Sequence, residues 1–60
     1  MYHVGQKITW LTLIGGKVTK VIGEIIELES NFWIRAKGKT NQNIEVKDLL
    51  TVDDKSISLF

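Results

Sequence analysis

Eighteen of the 60 residues are β-branched, comprising eight Ile, five Val and five Thr, and no window repeats Ala, Leu and Glu at a helical spacing. Branching at Cβ stiffens the side chain and suits it to a pleated, half-buried surface rather than to a helix. The chain contains no Pro, so Gly and short polar clusters supply its punctuation. Read this way, it divides into short extended runs. The first covers about Gln6 to Leu13 and meets Gly15-Gly16. The second, long, runs from about Val18 to Glu29 and breaks at Ser30-Asn31. The third covers Phe32 to Lys37, and Gly38-Lys39-Thr40-Asn41 turns it into a fourth over Asn43 to Val46. Lys47 to Leu50 reads as one turn of 3-10 helix, followed by a fifth strand over Leu50 to Val52. After Asp53-Asp54-Lys55 the alternation of Ser56 to Leu59 predicts a sixth short strand or a tail.

Side chains alternate along a strand, so each run carries its own inward set. Ile8, Trp10 and Thr12 share one face of the first run, with Lys7 and Thr9 opposing them. Phe32, Ile34 and Ala36 form the inward set of the third, and Ile44 and Val46 that of the fourth. In the second run Val21 and Ile25 fall in one phase and Ile22, Ile26 and Leu28 in the other. Gly23 lies between them, where a bulge or bend is expected.

Size limits what such a sheet can become. A domain of 60 residues buries only about 60% of the surface its unfolded chain exposes, and domains this small usually add a staple. There is no Cys and only one His, His3, so disulfides and Cys- or His-rich metal sites are excluded as that staple. An apolar fraction of 43% with two Trp, two Phe and one Tyr argues against disorder. Barrel closure is then the economical solution, because it removes the exposed strand edges. The expectation is a single all-β domain over residues 1–60, a five-stranded barrel with one 3-10 turn before the last strand, and residues 53–60 as a tail or extra short strand.

Several segments carry a resemblance. Val4-Gly5-Gln6-Lys7-Ile8-Thr9-Trp10, Gly15-Gly16-Lys17 and Gly23-Glu24-Ile25-Ile26-Glu27 resemble the opening strands of small SH3-like and Tudor-like barrels. Val46-Lys47-Asp48-Leu49 resembles the turn that precedes their last strand. The similarity spans about Val4 to Val52 and implies the fold, not one function. Such barrels include nucleic-acid binders, peptide binders, methyl-lysine readers and subunit-docking modules. A methyl-lysine cage needs more aromatic walls than Trp10 and Trp33 provide.

The third run is the chemically distinctive one. With Ile34 and Ala36 inward, Trp33, Arg35 and Lys37 point outward, and Lys39 continues the phase into the turn. An outward Trp beside three cations can anchor an acidic protein surface, or stack a base while the cations meet phosphate. The plainer alternative has Trp33 covering an open end of the barrel and Arg35 paired with Glu45 across the hairpin. Formal net charge is only +1, which weakens the nucleic-acid reading. It hides alternating blocks: +3 over residues 1–23, −3 over 24–30, +3 over 31–47 and −2 over 48–60. Adjacent hairpin strands can cancel such blocks.

Catalytic groups are sparse. His3 lies near the chain start, and Ser30, Ser56 and Ser58 fall in turns or the tail, so no nucleophile stands beside a base. Glu24 and Glu27 lie in opposite phases of a regular strand, Asp53-Asp54 reads as a solvated turn, and Gly15-Gly16-Lys17 lacks phosphate-loop spacing. The expectation is a non-catalytic cytoplasmic binding module with no cofactor and no metal, docking on a protein through Trp33, Arg35, Lys37 and Lys39. Nucleic acid is the first alternative ligand. The second alternative is a homo-oligomer joined by the apolar residues Ile57, Leu59 and Phe60, with Leu11, Leu13 and Ile14 adding to the contact. No membrane partner is expected, since no apolar run approaches the ~20 residues that span a bilayer.

Overall fold

The structure, a computed structural model, describes residues 2–56. Six strands form: β1 (Lys7–Ile14), β2 (Lys17–Leu28), β3 (Trp33–Lys37), β4 (Asn41–Glu45), β5 (Leu49–Val52) and β6 (Lys55–Ser56). A single 3-10 turn, Val46–Asp48, links β4 to β5. All six strands join one antiparallel sheet in the order β4-β3-β2-β1-β5-β6. The fold is therefore all-β as expected, but with six strands in one sheet rather than five in a closed barrel. β4 and β6 remain its edges, because the 3-10 turn carries the chain from β4 to β5 without a ladder between those two strands.

Local chemistry explains the turns. Gly15 and Gly16 both take positive φ (59° and 79°) and close β1 onto β2 with a two-residue loop. That left-handed pair matches the twist of the flanking strands and is nearly free of steric cost for Gly. Asp53 and Asp54 repeat the geometry (φ 53° and 65°) between β5 and β6. Gln6 donates from Nε2 to the Asp53 carboxylate at 2.8 Å, and the Lys7 ammonium lies 3.0 Å from Asp54. Between β2 and β3 the Ser30 hydroxyl accepts from the amides of Phe32 and Trp33.

The core is Ile8 and Trp10 of β1, Val21 and Ile25 of β2, Ile34 and Ala36 of β3, Ile44 of β4 and Leu49 of β5, with Tyr2, Val46 and Val52 packed around it. Trp10 is its organiser. Its ring lies against Gly23 and Gly38, where any Cβ would collide. Its Nε1 donates to Gln42 Oε1 at 2.8 Å, and Gln42 Nε2 donates to Thr12 Oγ1 at 3.3 Å. Gln42 stands on β4 and Trp10 on β1, three places away in the sheet. Those bonds show the sheet curled until its inner faces meet, with side chains spanning a gap that no ladder bridges.

Two assignments of facing change, the open phase of the second strand resolves, and its bulge moves. Phe32 is 72% exposed, because it precedes β3 in the Ser30 turn and lies outside the alternation that buries Ile34 and Ala36. Thr9, expected outward, is 5% exposed. It sits between Ile22 of β2 and Thr51 of β5, and its hydroxyl meets that of Thr51 at 2.7 Å. Val21 and Ile25 are the buried phase of β2, while Ile22 is exposed. The bulge falls at Ile26, between the pairs Ile25↔Ala36 and Glu27↔Arg35, and not at Gly23. Gly23 is required for a different reason: a Cβ there would strike the Lys37 carbonyl oxygen and the Trp10 ring.

The Thr9–Thr51 contact gives a measurable expectation. Thr9→Val removes one hydroxyl at nearly constant volume and leaves that of Thr51 without its partner, so a loss of about 1 kcal/mol is expected. Thr9→Val/Thr51→Val removes both hydroxyls and should recover part of it. Urea denaturation of the wild type, Thr9→Val, Thr51→Val and the double variant measures this; a double variant as damaged as the sum of both singles would deny the pairing.

Candidate binding groove

β3 presents Trp33, Arg35 and Lys37 on its outer face, all exposed, with Ile34 and Ala36 beneath. The strands beside it then decide what that face can do. Glu24 of β2 pairs in register with Lys37, and Glu27 with Arg35. On the other side, Asn43 stands opposite Arg35 and Glu45 opposite Trp33. Outer-face residues in register are direct neighbours. The row of cations therefore lies beside a row of carboxylates, so the opposite charge blocks of the sequence adjoin across the β2–β3 hairpin without closing an ion pair. The pairing of Arg35 with Glu45 is not formed: Glu45 lies opposite Trp33, and its carboxylate is 3.8 Å from the Lys47 ammonium.

Lys39 parts from the other three. It lies in the turn after β3 and, with Thr40, rims a small pocket of about 300 Å3 against Trp10, Ile14, Val21 and Gln42. Trp33 instead walls a groove of about 550 Å3, with Leu11 of β1, Asn43 and Glu45 of β4 and Asp48 of the 3-10 turn around it and Trp10 at its base. That groove is the gap between β1 and β4, the gap that Gln42 spans from within. Trp33 is 42% exposed there. It neither caps the sheet fully nor stands free of it; one part of the indole is packed and the rest is offered to solvent. A third depression, at the end formed by Tyr2, Leu28, Ile34 and Val46, has no charged side chain in its lining.

Asp48 was not a candidate from the sequence, and Leu11 and Glu45 were named there in other roles, an oligomer contact and an ion pair with Arg35. They come from β1, β4 and the 3-10 turn, and only the curl of the sheet brings them to Trp33. One signal was legible: with Ile44 inward, Asn43 and Glu45 must point outward beside Trp33. The expected oligomer contact at Ile57, Leu59 and Phe60 lies outside the described residues. Leu11, Leu13 and Ile14 are described, and all three are exposed. No protein family, curated protein or solved structure matches this chain.

Proposed function

We propose that this chain is a small non-catalytic binding module of the SH3-like barrel type, with an open seam between β1 and β4, and that a protein partner docks in the groove walled by Trp33. The observation that carries this reading is the indole itself: partly packed, 42% exposed and set in a groove of about 550 Å3. A large ring pre-positioned by its own domain loses little entropy on binding, which is why aromatic anchors dominate interfaces. The strand order and the 3-10 turn before β5 support the barrel reading. The polar side chains lining the groove are Thr12, Gln42, Asn43, Glu45 and Asp48, and the Thr12 hydroxyl accepts from Gln42 Nε2 rather than standing beside a base.

A protein is favoured over nucleic acid by charge. Glu24 and Glu27 flank Lys37 and Arg35, and Glu45 and Asp48 line the groove, so phosphates approaching Trp33 meet carboxylates. Cations flanked by carboxylates hold a weaker attraction for phosphate, and phosphate contacts with counterion release supply much of nucleic-acid affinity.

Trp33→Ala tests the proposal. Capture of partner from a lysate should fall at least tenfold relative to wild type, while the urea midpoint stays close to its original value because the ring is far from fully buried. Arg35→Ala serves as the comparison and should retain most capture. Equal recovery by the wild type and Trp33→Ala would remove Trp33, and with it the proposed interface. Retention of a nucleic acid whose binding falls steeply with salt would replace the protein partner with the alternative.

A further inference from the structure

The β1–β2 hairpin outlasts its neighbours. β5 leaves β1 at Trp10, and β3 leaves β2 at Glu24. The pairs Leu11↔Lys20, Thr12↔Thr19, Leu13↔Val18 and Ile14↔Lys17 therefore form a ribbon only two strands wide. Four such rungs extend ~14 Å. Gln42 braces the ribbon at Thr12 from within. Beyond that point the tip carries Leu13 at 70% exposure, Val18 at 69% and Ile14 at 41%.

These residues do not share a face. Leu13 and Val18 lie in the outward phase with Leu11 and Lys20. Ile14 and Lys17 lie in the opposite phase with Thr12 and Thr19. The tip is thus apolar on both faces and cationic on both faces. Lys39, on the turn after β3, adds a third cation beside Leu13 and Ile14. No Asp or Glu occurs in residues 1–23. A partner surface lying flat against a sheet covers one face only. An apolar end ringed by lysines has instead the chemistry of an element that dips into the headgroup boundary of an anionic bilayer. Two copies meeting at this tip would bring their lysines together.

We propose that the β1–β2 hairpin is a peripheral docking tip for anionic lipid surfaces, with Leu13, Ile14 and Val18 entering the interface and Lys17, Lys20 and Lys39 meeting the headgroups. Its backbone sets the depth. Lys7 O accepts from the Asp53 amide, on the β5 side, so Leu13, in the same phase, directs its amide away from β2. There it finds no strand, because β5 has ended. Such groups need water or headgroups as partners, which confines the tip to the interface. The expectation of no membrane partner rested on the lack of a spanning segment, and no helix among the described residues is long and apolar enough to cross. Docking at the surface requires none.

The test is co-sedimentation of the full chain with vesicles of phosphatidylcholine alone and of phosphatidylcholine mixed with phosphatidylserine, at low and high salt. Binding is expected only to the mixed vesicles, and weakened by salt. Leu13→Ser/Val18→Ser should lower it at least tenfold; both positions are exposed, and far-UV circular dichroism checks that the sheet is unchanged. Lys17→Glu/Lys20→Glu should lower it roughly 25-fold or more, at about fivefold for each lysine near the surface. Sedimentation velocity of the same chains detects self-association. No binding to either vesicle would overturn the proposal, as would equal binding to both or a folded serine variant that binds like wild type. Concentration-dependent self-association abolished in the serine variant would assign the tip to a second copy and overturn it equally. None of these outcomes bears on Trp33, which lies outside the tip.

Discussion

Gly23→Ala should destabilise the chain by about 2 kcal/mol, although it adds only one methyl group. Gly23 does not take a positive φ, so alanine suits its backbone. Through the unfolded state alone the substitution would favour folding by about 0.4–1 kcal/mol. The space decides otherwise. A Cβ at this position falls on the Lys37 carbonyl oxygen and 2.7 Å from Cη2 of Trp10. The carbonyl belongs to the backbone of β3 and cannot turn aside, and the indole is 2% exposed and held by Gln42. Either the handover of β2 from β1 to β3 must open, or the ring must leave its place. Overpacking of this kind costs typically 1–3 kcal/mol. A 60-residue chain has roughly 3–9 kcal/mol of total stability, so the loss is a large fraction of it. Thermal unfolding should shift down by about 8–16 °C, at about 4–8 °C per kcal/mol for a domain this small. Gly15→Ala is the control, because nothing lies within 4 Å of its Cβ position and its cost comes only from φ +59°. A Gly23→Ala chain that melts with wild type would show that the β2–β3 handover has slack, and the packing argument at Trp10 would fail.

The same glycine shows where sequence reading stops. Regular alternation made Ile34 and Ala36, Ile8 and Trp10, and Ile44 legible as inward residues, because each depends only on its own strand. Gly23 depends on Lys37 and Trp10, 14 and 13 positions away in the chain, and no local pattern announces either. The mixed phases of β2 have a related cause. Val21 and Ile25 lie on one parity, and the extra residue Ile26 then shifts the register, so that Leu28 rather than Glu27 stands opposite buried Ile34. A reader of sequence meets two conflicting periodicities and has no means of locating the slip. Thr9 and Phe32 fail by opposite routes. A strand flanked on both sides encloses a small outward residue, whereas a residue just before a strand escapes its alternation. At the candidate site, the outward triplet Trp33, Arg35 and Lys37 was legible from β3 alone. The placing of Glu27 and Glu24 beside it needed the pairing register, and the groove needed the curl that brings Leu11 and Asp48 to the indole.

That curl rests on few atoms, and substitutions at Trp10 should show how few. Trp10→Ala removes the largest core side chain from a pocket lined by Gly23 and Gly38, which have no side chains to fill the space. Losses of 3–5 kcal/mol are usual for a buried Trp or Phe cut to Ala. Here that approaches the whole stability of the chain, so Trp10→Ala should be largely unfolded at 25 °C, with far-UV circular dichroism lacking the sheet signal. Trp10→Phe separates the hydrogen bond from the packing. It keeps an aromatic ring but removes the Nε1–H that donates to Gln42 Oε1. A half-buried acceptor left without its donor costs about 1–2 kcal/mol. Gln42→Leu leaves the indole N–H unpaired and should cost a similar amount, together with the bond to Thr12. Trp10→Phe/Gln42→Leu strands neither of these two groups, so its loss should be smaller than the sum of the singles, with a coupling of about 1 kcal/mol in urea titrations. Additive losses would mean that the Trp10–Gln42 bond contributes nothing, and apolar packing alone would then have to hold β4 against β1. A positive coupling places the strap at Gln42, the side chain that joins the two walls of the groove and sets the width of the space beside Trp33.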